Sequence, residues 1–299
     1  MAIRGFDESL PIDLHTHSSV SDGTEPPGAV IRAAAAAGLG TVALTDHDSC
    51  AGWAEAAAAA REAGISFIPG VEFSTQIDRA SVHVLGYLVD PADADLLASM
   101  TEVRESRLTR AERMVERIGA DYPLTWQDVL DESEPDATIG RPHIADALVR
   151  RGIVGDRTEA FEGILHWRGG YYQPHRAPSP VEAIGLIRAA GGVAVLAHPA
   201  SRGKAALRPG WMRRLVDAGL QGLEIDHREN DEVSRGLLHE YARKLDLLVT
   251  GSSDYHGTGK PNRLGEHTTA PEQLRRILEL GTGSRPELAV ADDSGQQQR

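Results

Sequence analysis

Short apolar runs alternate along this chain with helix-period stretches, and polar residues gather where the apolar runs stop. Residues 10–17 form a first β-friendly run ending in His15 and His17. Pro26 and Pro27 open an alanine-rich helix that Gly38 closes, because proline suits a first helical turn and glycine the position after the last. Residues 41–45 read as a second strand running into Asp46-His47-Asp48, and residues 51–63 as a second helix stopped by Gly64. Strands follow over 65–71, which delivers Glu72, and over 81–89, which carries His83 near its start. Such strand–helix alternation predicts a parallel α/β fold.

Between about residues 90 and 170 helical periodicity takes over and no strand is predicted. Residues 94–118 read as one helix carrying Arg104, Arg107, Arg110, Arg113 and Arg117, ended by Asp121-Tyr-Pro123. Gly140-Arg-Pro-His143 opens another helix, which Gly152 closes. The alternation resumes with a helix to Ala190 and a strand over 193–197 delivering His198. Helix 209–218, strand 222–226 with His227 after it, helix 231–244 and strand 247–250 leading to Asp254 and His256 follow, then a last helix over 271–280. That makes seven strands. The expected organisation is a discontinuous barrel over 10–90 and 171–285, a helical insertion over 91–170, and a polar, disordered tail over 286–299.

Composition excludes several classes. With 299 residues, 41% hydrophobic and 25% charged, the chain can bury a large core. A formal net charge of −13 repels long nucleic acid, although a local positive pocket or bound metals can still draw a small phosphorylated ligand. The single cysteine, Cys50, allows no internal disulfide and fits a reducing compartment. No apolar run approaches the roughly 20 residues of a membrane span and no signal segment opens the chain, so no membrane association and a cytoplasmic location are expected. Oligomeric state stays open.

The chemistry begins with His15 and His17. On an extended strand, residues i and i+2 point the same way, so both imidazoles face one point. In parallel barrels the strand C-termini share the functional face. At or just past strand ends stand His15, His17, Asp22, His47, Glu72, His198, Asp254 and His256, with His83 an exception near the start of its strand. Any one of them reads as an ordinary core or capping group. Nine at separate places do not. Mixed imidazole and carboxylate donors suit Mn²⁺, Zn²⁺ or Fe²⁺, and the lack of thiolates argues against a structural zinc site. Nine ligands exceed what one ion takes, which implies two or three divalent metal ions.

The motifs Asp13-Leu-His-Thr-His17-Ser-Ser-Val-Ser-Asp22-Gly23, Thr45-Asp-His-Asp48, Pro69-Gly-Val-Glu72, His83-Val-Leu-Gly-Tyr87, Ala197-His-Pro199 and Ser253-Asp-Tyr-His256 resemble those of the PHP (polymerase and histidinol phosphatase) superfamily. The resemblance covers about residues 10–285. Asp22, the insertion and Arg141-Pro-His143 look most like the branch of nucleoside 3′,5′-bisphosphate phosphatases and related 5′→3′ exoribonucleases. It implies a distorted (β/α)₇ barrel with a trinuclear metal centre. Carried over, it places His15, His17, Glu72 and Asp254 on a first metal, Asp22, His47 and His256 on a second, and Glu72, His83 and His198 on a third. Glu72 then bridges, and a metal-held hydroxide attacks the phosphate ester. Asp46 and Asp48 are expected to orient His47, or else to be ordinary turn carboxylates.

Three functional readings remain. One is a phosphatase for nucleotide 3′,5′-bisphosphates, extending to short 5′-phosphorylated RNA. The second is a histidinol-phosphate phosphatase, and the third a non-catalytic binding module. Besides Glu72 and Asp254, His227 is a candidate for the catalytic face, bound to substrate or protonating the leaving oxygen; the alternative is a surface histidine. Arg104, Arg107, Arg141 and His143 are expected to hold a second phosphate, since guanidinium groups pair bidentately with phosphate oxygens. Glu102, Glu105, Glu112 and Glu116 lie among the arginines, so Arg110, Arg113 and Arg117 are read as a solvated face.

Overall fold

Seven strands follow one another around a single sheet in chain order in the computed structural model of the protein, which describes residues 5–78, 80–133, 137–201, 204–208 and 210–289. β1 (Ile12–Asp13), β2 (Thr41–Leu44) and the start of β3 (Ser66–Ile77) are parallel, joined through α1 (Pro27–Ala36) and α2 (Trp53–Ala63). β4 (Ala80–Tyr87) leads into β5 (Val193–Ala197), β6 (Gly222–Asp226) and β7 (Leu248–Gly251), the last three parallel to one another. Just past the strand ends Thr16 bridges Tyr255, and the Tyr255 carbonyl accepts from the His17 amide at 2.8 Å. That contact nearly closes the ring, giving the distorted seven-stranded barrel expected from the motifs.

Parallel order fails at β4, which is antiparallel to both β3 and β5. β3 does not stop at Glu72. It continues to Ile77, which pairs with Ala80 across a tight hairpin at Asp78, and such a hairpin joins only antiparallel neighbours. The reversal explains His83. Its position opposite Ser74 on β3 and Ala197 on β5 brings the beginning of β4 to the end of the barrel where the parallel strands finish. β1 is also shorter than the expected 10–17 run, because beyond Asp13 the chain bonds to loops rather than to a continuous ladder.

Inside the barrel Ile12, Leu14, Ala43, Ile68, Leu85, Tyr87, Val193 and Leu248 form an apolar plug, and the Tyr87 hydroxyl donates to the Leu14 carbonyl at 3.0 Å. Between β4 and β5 run α3 (Ala94–Gly119), α4 (Trp126–Leu130), α5 (Arg141–Arg150) and α6 (Arg157–Glu162). They pack around their own cluster, which includes Met114, Ile118, Ile144, Leu148 and Leu165. α7 (Pro180–Ala189), α8 (Trp211–Asp217) and α9 (Glu232–Leu245) cover the sheet from outside, while α10 (Pro271–Leu280) buries Leu274 and Ile277 against the barrel. Disorder does not begin at residue 286 as expected. Glu287 exchanges backbone hydrogen bonds with Phe67 at 2.7 and 2.9 Å, and its carboxylate pairs with Arg61 at 2.7 Å. Residues 290–299 lie outside the described residues. Among the described residues no helix is long and apolar enough to cross a membrane.

Candidate functional site

Glu72 sits on β3 beside the end of β2, ringed by five imidazoles. Its Oε1 lies 2.7 Å from His83 Nδ1 and 2.9 Å from His198 Nε2. Its Oε2 lies 3.1 Å from His47 Nδ1, 3.2 Å from His17 Nε2 and 3.4 Å from His15 Nε2. Asp254 Oδ1 stands 3.3 Å from His17 Nε2 and 3.5 Å from His15 Nε2. Asp22 Oδ1 approaches His256 Nε2 at 3.1 Å, and its Oδ2 is 3.7 Å from His47 Nε2. All nine side chains singled out in the sequence therefore converge, and all are buried.

Other side chains hold this ring in place. Glu224, fully buried on β6, accepts from His15 Nδ1 at 2.9 Å, from the His198 amide at 2.8 Å and from the Ser252 hydroxyl. That turns His15 Nε2 towards Glu72 and Asp254, the arrangement by which a carboxylate orients a ligating histidine. The sequence reading missed Glu224. Its one local signal is a carboxylate inside the apolar run of a buried parallel strand. Asp13 accepts from the amides of Ser253 and Gly265 at 3.0 and 2.9 Å, tying β1 to the loop that carries Asp254. Asp46 and Asp48 direct their hydrogen bonds elsewhere than to the His47 ring. Asp46 accepts from Ser18 and Ser21 and so fixes the loop leading to Asp22. Asp48 accepts from Ser74 at 2.7 and 2.8 Å and from Arg107 at 3.3 Å. Asp48, His198 and Asp254 adopt positive φ (53°, 27° and 55°), strain that a non-glycine residue keeps only where its surroundings over-determine it.

Burial opposes charge here and prevails at His47 and His256, whose imidazoles it pushes below the usual range, while the carboxylates and His17 keep their charge. Burial would raise Glu72 and Asp22, but His83, His47 and His15 around the first, and His256 and His47 around the second, hold both well below the usual carboxylate range. Burial pulls His17 down, while Asp254 and Glu72 outweigh it and hold the ring at about 9. Glu224 is held at about 2, burial being overcome by His15 and His227. The donor set fits a cluster of divalent cations. Four groups of three (His15, Glu72, His198; His15, His17, Asp254; His17, Asp22, His256; His17, His47, Glu72) bring ligand atoms within 4.8 Å of one another. Tetrahedral bonds of about 2 Å separate neighbouring ligand atoms by roughly 3.3 Å, and the pairs around Glu72 Oε2 and Asp254 Oδ1 stand at 3.1–3.5 Å. Asp22 Oδ1, His47 Nδ1 and His256 Nε2 are buried without a hydrogen-bond partner among the described residues, which leaves them available to a cation.

A small cavity of about 80 Å³ opens beside this cluster, sharing Asp22, His47 and His83 with it and lined further by Arg107, Arg110, Arg141, Tyr172 and His175. Arg107 and Arg110 are 6% and 7% exposed. The Arg141 guanidinium lies 5.3 Å from the Phe161 ring and 5.7 Å from that of Tyr172. His175 Nδ1 faces Arg110 at 3.0 Å, and burial, then Arg110 and Arg107, push that imidazole down to about 2, so it stays a neutral acceptor. Three expectations need correction here. Arg110 belongs to the cavity and not to the solvated face, whereas Arg113 and Arg117 are exposed. Arg104 does not line it, because its guanidinium is taken up by the Asp48 carbonyl at 2.5 Å and Thr101 Oγ1 at 3.0 Å. His143 is likewise a buried cap, its Nδ1 accepting from the Gly140 amide at 3.1 Å, and it lines a different groove.

His227 is no surface residue. It is fully buried, with Nε2 3.7 Å from Asp254 Oδ2 and its ring 5.2 Å from that of His198. Nδ1 accepts from the Glu229 amide at 3.1 Å, which places the proton of a neutral ring on Nε2, facing Asp254. It stands behind Asp254 and does not line the open cleft. Lys260, which the sequence reading passed over, does line it and donates to Asp254 Oδ2 at 2.7 Å. No motif marked it.

The PHP domain family matches residues 13–124. A 3′,5′-nucleoside bisphosphate phosphatase of Chromobacterium violaceum is 38% identical over 270 residues, 86% of this chain and 91% of that protein. A 5′-3′ exoribonuclease of Haemophilus influenzae is 33% identical over 252 residues, 82% of this chain and 89% of that protein. Among solved structures, a protein from Bifidobacterium adolescentis assigned as a metal-dependent phosphoesterase superposes with a TM-score of 0.88 at 41% identity, covering 91% of this chain and 96% of that one.

Proposed function

The chain belongs to the PHP family of metal-dependent phosphoesterases, and from that premise we propose that it removes one phosphate from nucleotides that carry two, the 3′,5′-bisphosphates. The observation that carries this reading is the arginine-lined cavity opening directly onto the nine-ligand cluster. Two anion sites side by side suit a substrate with two phosphates.

His15, His17, Glu72 and Asp254 would hold one divalent cation, Asp22, His47 and His256 a second, and Glu72, His83 and His198 a third, with Glu72 shared. Donors of this mixed kind suit Mn²⁺, Zn²⁺ or Fe²⁺. When bound, such ions polarise phosphoryl oxygens and bring the pKa of water down towards about 7. Glu224 keeps His15 in the tautomer that presents Nε2, and Asp46 keeps the Asp22 loop in register. Arg107, Arg110 and Arg141 take the phosphate that is not cut, through charge-assisted hydrogen bonds. His227 acts through Asp254, since it reaches neither cavity nor cleft.

A histidinol-phosphate substrate fits less well. Its amine is a cation, and three guanidinium groups beside the reacting phosphate repel it. A non-catalytic module has no use for a complete and oriented donor set. Short 5′-phosphorylated RNA is a second substrate class, favoured by the open cleft of about 470 Å³ lined by Lys260, Arg228 and His166, which shares Asp22, His47 and His83 with the arginine cavity. The experiment is phosphate release with Mn²⁺ present, comparing adenosine 3′,5′-bisphosphate with histidinol phosphate. Rapid release from the first alone is expected, and preference for the second would overturn the assignment.

A further inference from the structure

The chain has four tryptophans. Trp53 and Trp211 pack against the main core, and Trp126 packs against the core of the helical block. Trp167 joins no apolar cluster among the described residues and is 62% exposed. Its position is built. Ile164 and Leu165 anchor the preceding residues in the helical core, and the Leu165 amide donates to the Ala160 carbonyl at 2.8 Å. Backbone bonds from His166 to Gly163 and from Gly169 to His166 close the turn, and Arg117 donates to the Gly170 carbonyl at 2.6 Å. At the tip of that turn the Arg168 guanidinium lies over the Trp167 ring, 4.3 Å from its centroid. Among the described residues no carboxylate pairs with Arg168, in a chain carrying 44 acidic residues. His166, whose ring centroid is 5.7 Å from that of Trp167, lines the same cleft as Glu72, His198 and Asp254.

An exposed indole backed on one side by an unpaired cation is a surface for a flat ring with phosphate attached, because the indole stacks on the base and the guanidinium attracts the backbone. We propose that Trp167 and Arg168 form a stacking platform for a base of a short phosphorylated oligonucleotide. The base would be one that leaves the cleft beside the nucleotide whose phosphate lies on the metal-binding side chains. This rests on the phosphoesterase reading above and adds an oligonucleotide-specific subsite to it. The platform is local and basic on an otherwise acidic molecule, so it serves a few nucleotides and not a long strand. Neither Trp167 nor Arg168 lines the arginine cavity, so a mononucleotide bisphosphate held there is not expected to use the platform.

The test is a binding measurement on the full, Mn²⁺-loaded chain. The probe is a 5′-phosphorylated pentariboadenylate with phosphorothioate linkages and a 3′ fluorophore, followed by anisotropy. Trp167→Ala should weaken its binding about tenfold, the scale of one lost base–aromatic stack. Trp167→Phe keeps a stacking ring and should stay within about twofold of wild type. An abasic residue at the stacked position should weaken wild-type binding by a similar factor and leave the Trp167→Ala variant indifferent. Adenosine 3′,5′-bisphosphate, followed by phosphate release, should show the same KM with both proteins. Equal pentamer affinity for wild type and Trp167→Ala overturns the platform, and so does an equal loss for pentamer and mononucleotide. If the bisphosphate is not hydrolysed but the tryptophan-dependent loss persists, the phosphatase reading falls and the platform stands.

Discussion

Glu224→Gln is the sharpest probe of the site, because it removes a charge and one acceptor while keeping shape. The carboxylate accepts three hydrogens: Oε1 from His15 Nδ1 at 2.9 Å and from the Ser252 hydroxyl, Oε2 from the His198 amide at 2.8 Å. A carboxamide has one acceptor oxygen and one donor group, so every orientation leaves a clash. With the amide nitrogen towards His198, two donors face each other and a buried backbone hydrogen bond is lost, at about 1–3 kcal/mol. With it towards His15, Nδ1 has to accept, and the ring proton moves to Nε2, the nitrogen aimed at Glu72 and Asp254. Partners of ligating histidines typically contribute 10–100-fold to metal affinity, about 1.4–2.7 kcal/mol. Equilibrium dialysis with elemental analysis, and chelator competition at pH 7, should show one cation bound weaker by roughly that factor. Maximal rate should largely return at saturating metal, since Glu224 touches no substrate. Glu224→Asp keeps the charge on a shorter stem and should fall between the two. Metal affinity of Glu224→Gln within about twofold of wild type would refute the claim that Glu224 orients His15.

Further outcomes follow from the same geometry. Glu72→Gln should leave the purified protein short of metal and nearly inactive, because in the proposed arrangement this carboxylate would be shared between adjacent cations and neutralise them; full metal content with wild-type turnover would show that Glu72 is no bridge. Arg110→Ala should lower kcat/KM for adenosine 3′,5′-bisphosphate about 10–100-fold, the scale of a charge-assisted hydrogen bond, with a much smaller change for an aryl phosphate; equal losses would mean that the cavity only supports the barrel. Loading the metal-free protein at pH 7 should release protons, measurable as a buffer-dependent heat, since His17 is held at about 9 and must deprotonate to ligate. The sign is that metal affinity rises with pH up to about that value, and a pH-independent affinity between 6 and 9 would contradict it.

Much of this molecule was readable from local pattern. Helix 271–280 is Pro271–Leu280, the long helix expected over 94–118 is Ala94–Gly119, and the nine ligand-type side chains converge as expected. Each of those features is set by neighbours a few positions away: an apolar period, a proline or glycine stop, a polar residue just past a strand. The failures share a different origin. The direction of β4 depends on a hairpin at Asp78, whose pairing becomes visible only when β3 and β4 lie side by side. His227 is buried beside Asp254, 27 positions later in the chain, and the ring of His198, 29 positions earlier. Glu224 meets His15 across 209 residues of sequence, so nothing beside it in the chain announces the bond. Arg104 and Arg110 are one residue type on one helix, and their spacing cannot separate them. What separates them is the seat of α3 on the barrel, which turns Arg110 into the cavity and brings the Asp48 carbonyl to Arg104. Helical periodicity orders side chains around an axis; where that axis rests is a property of packing between segments far apart in the chain.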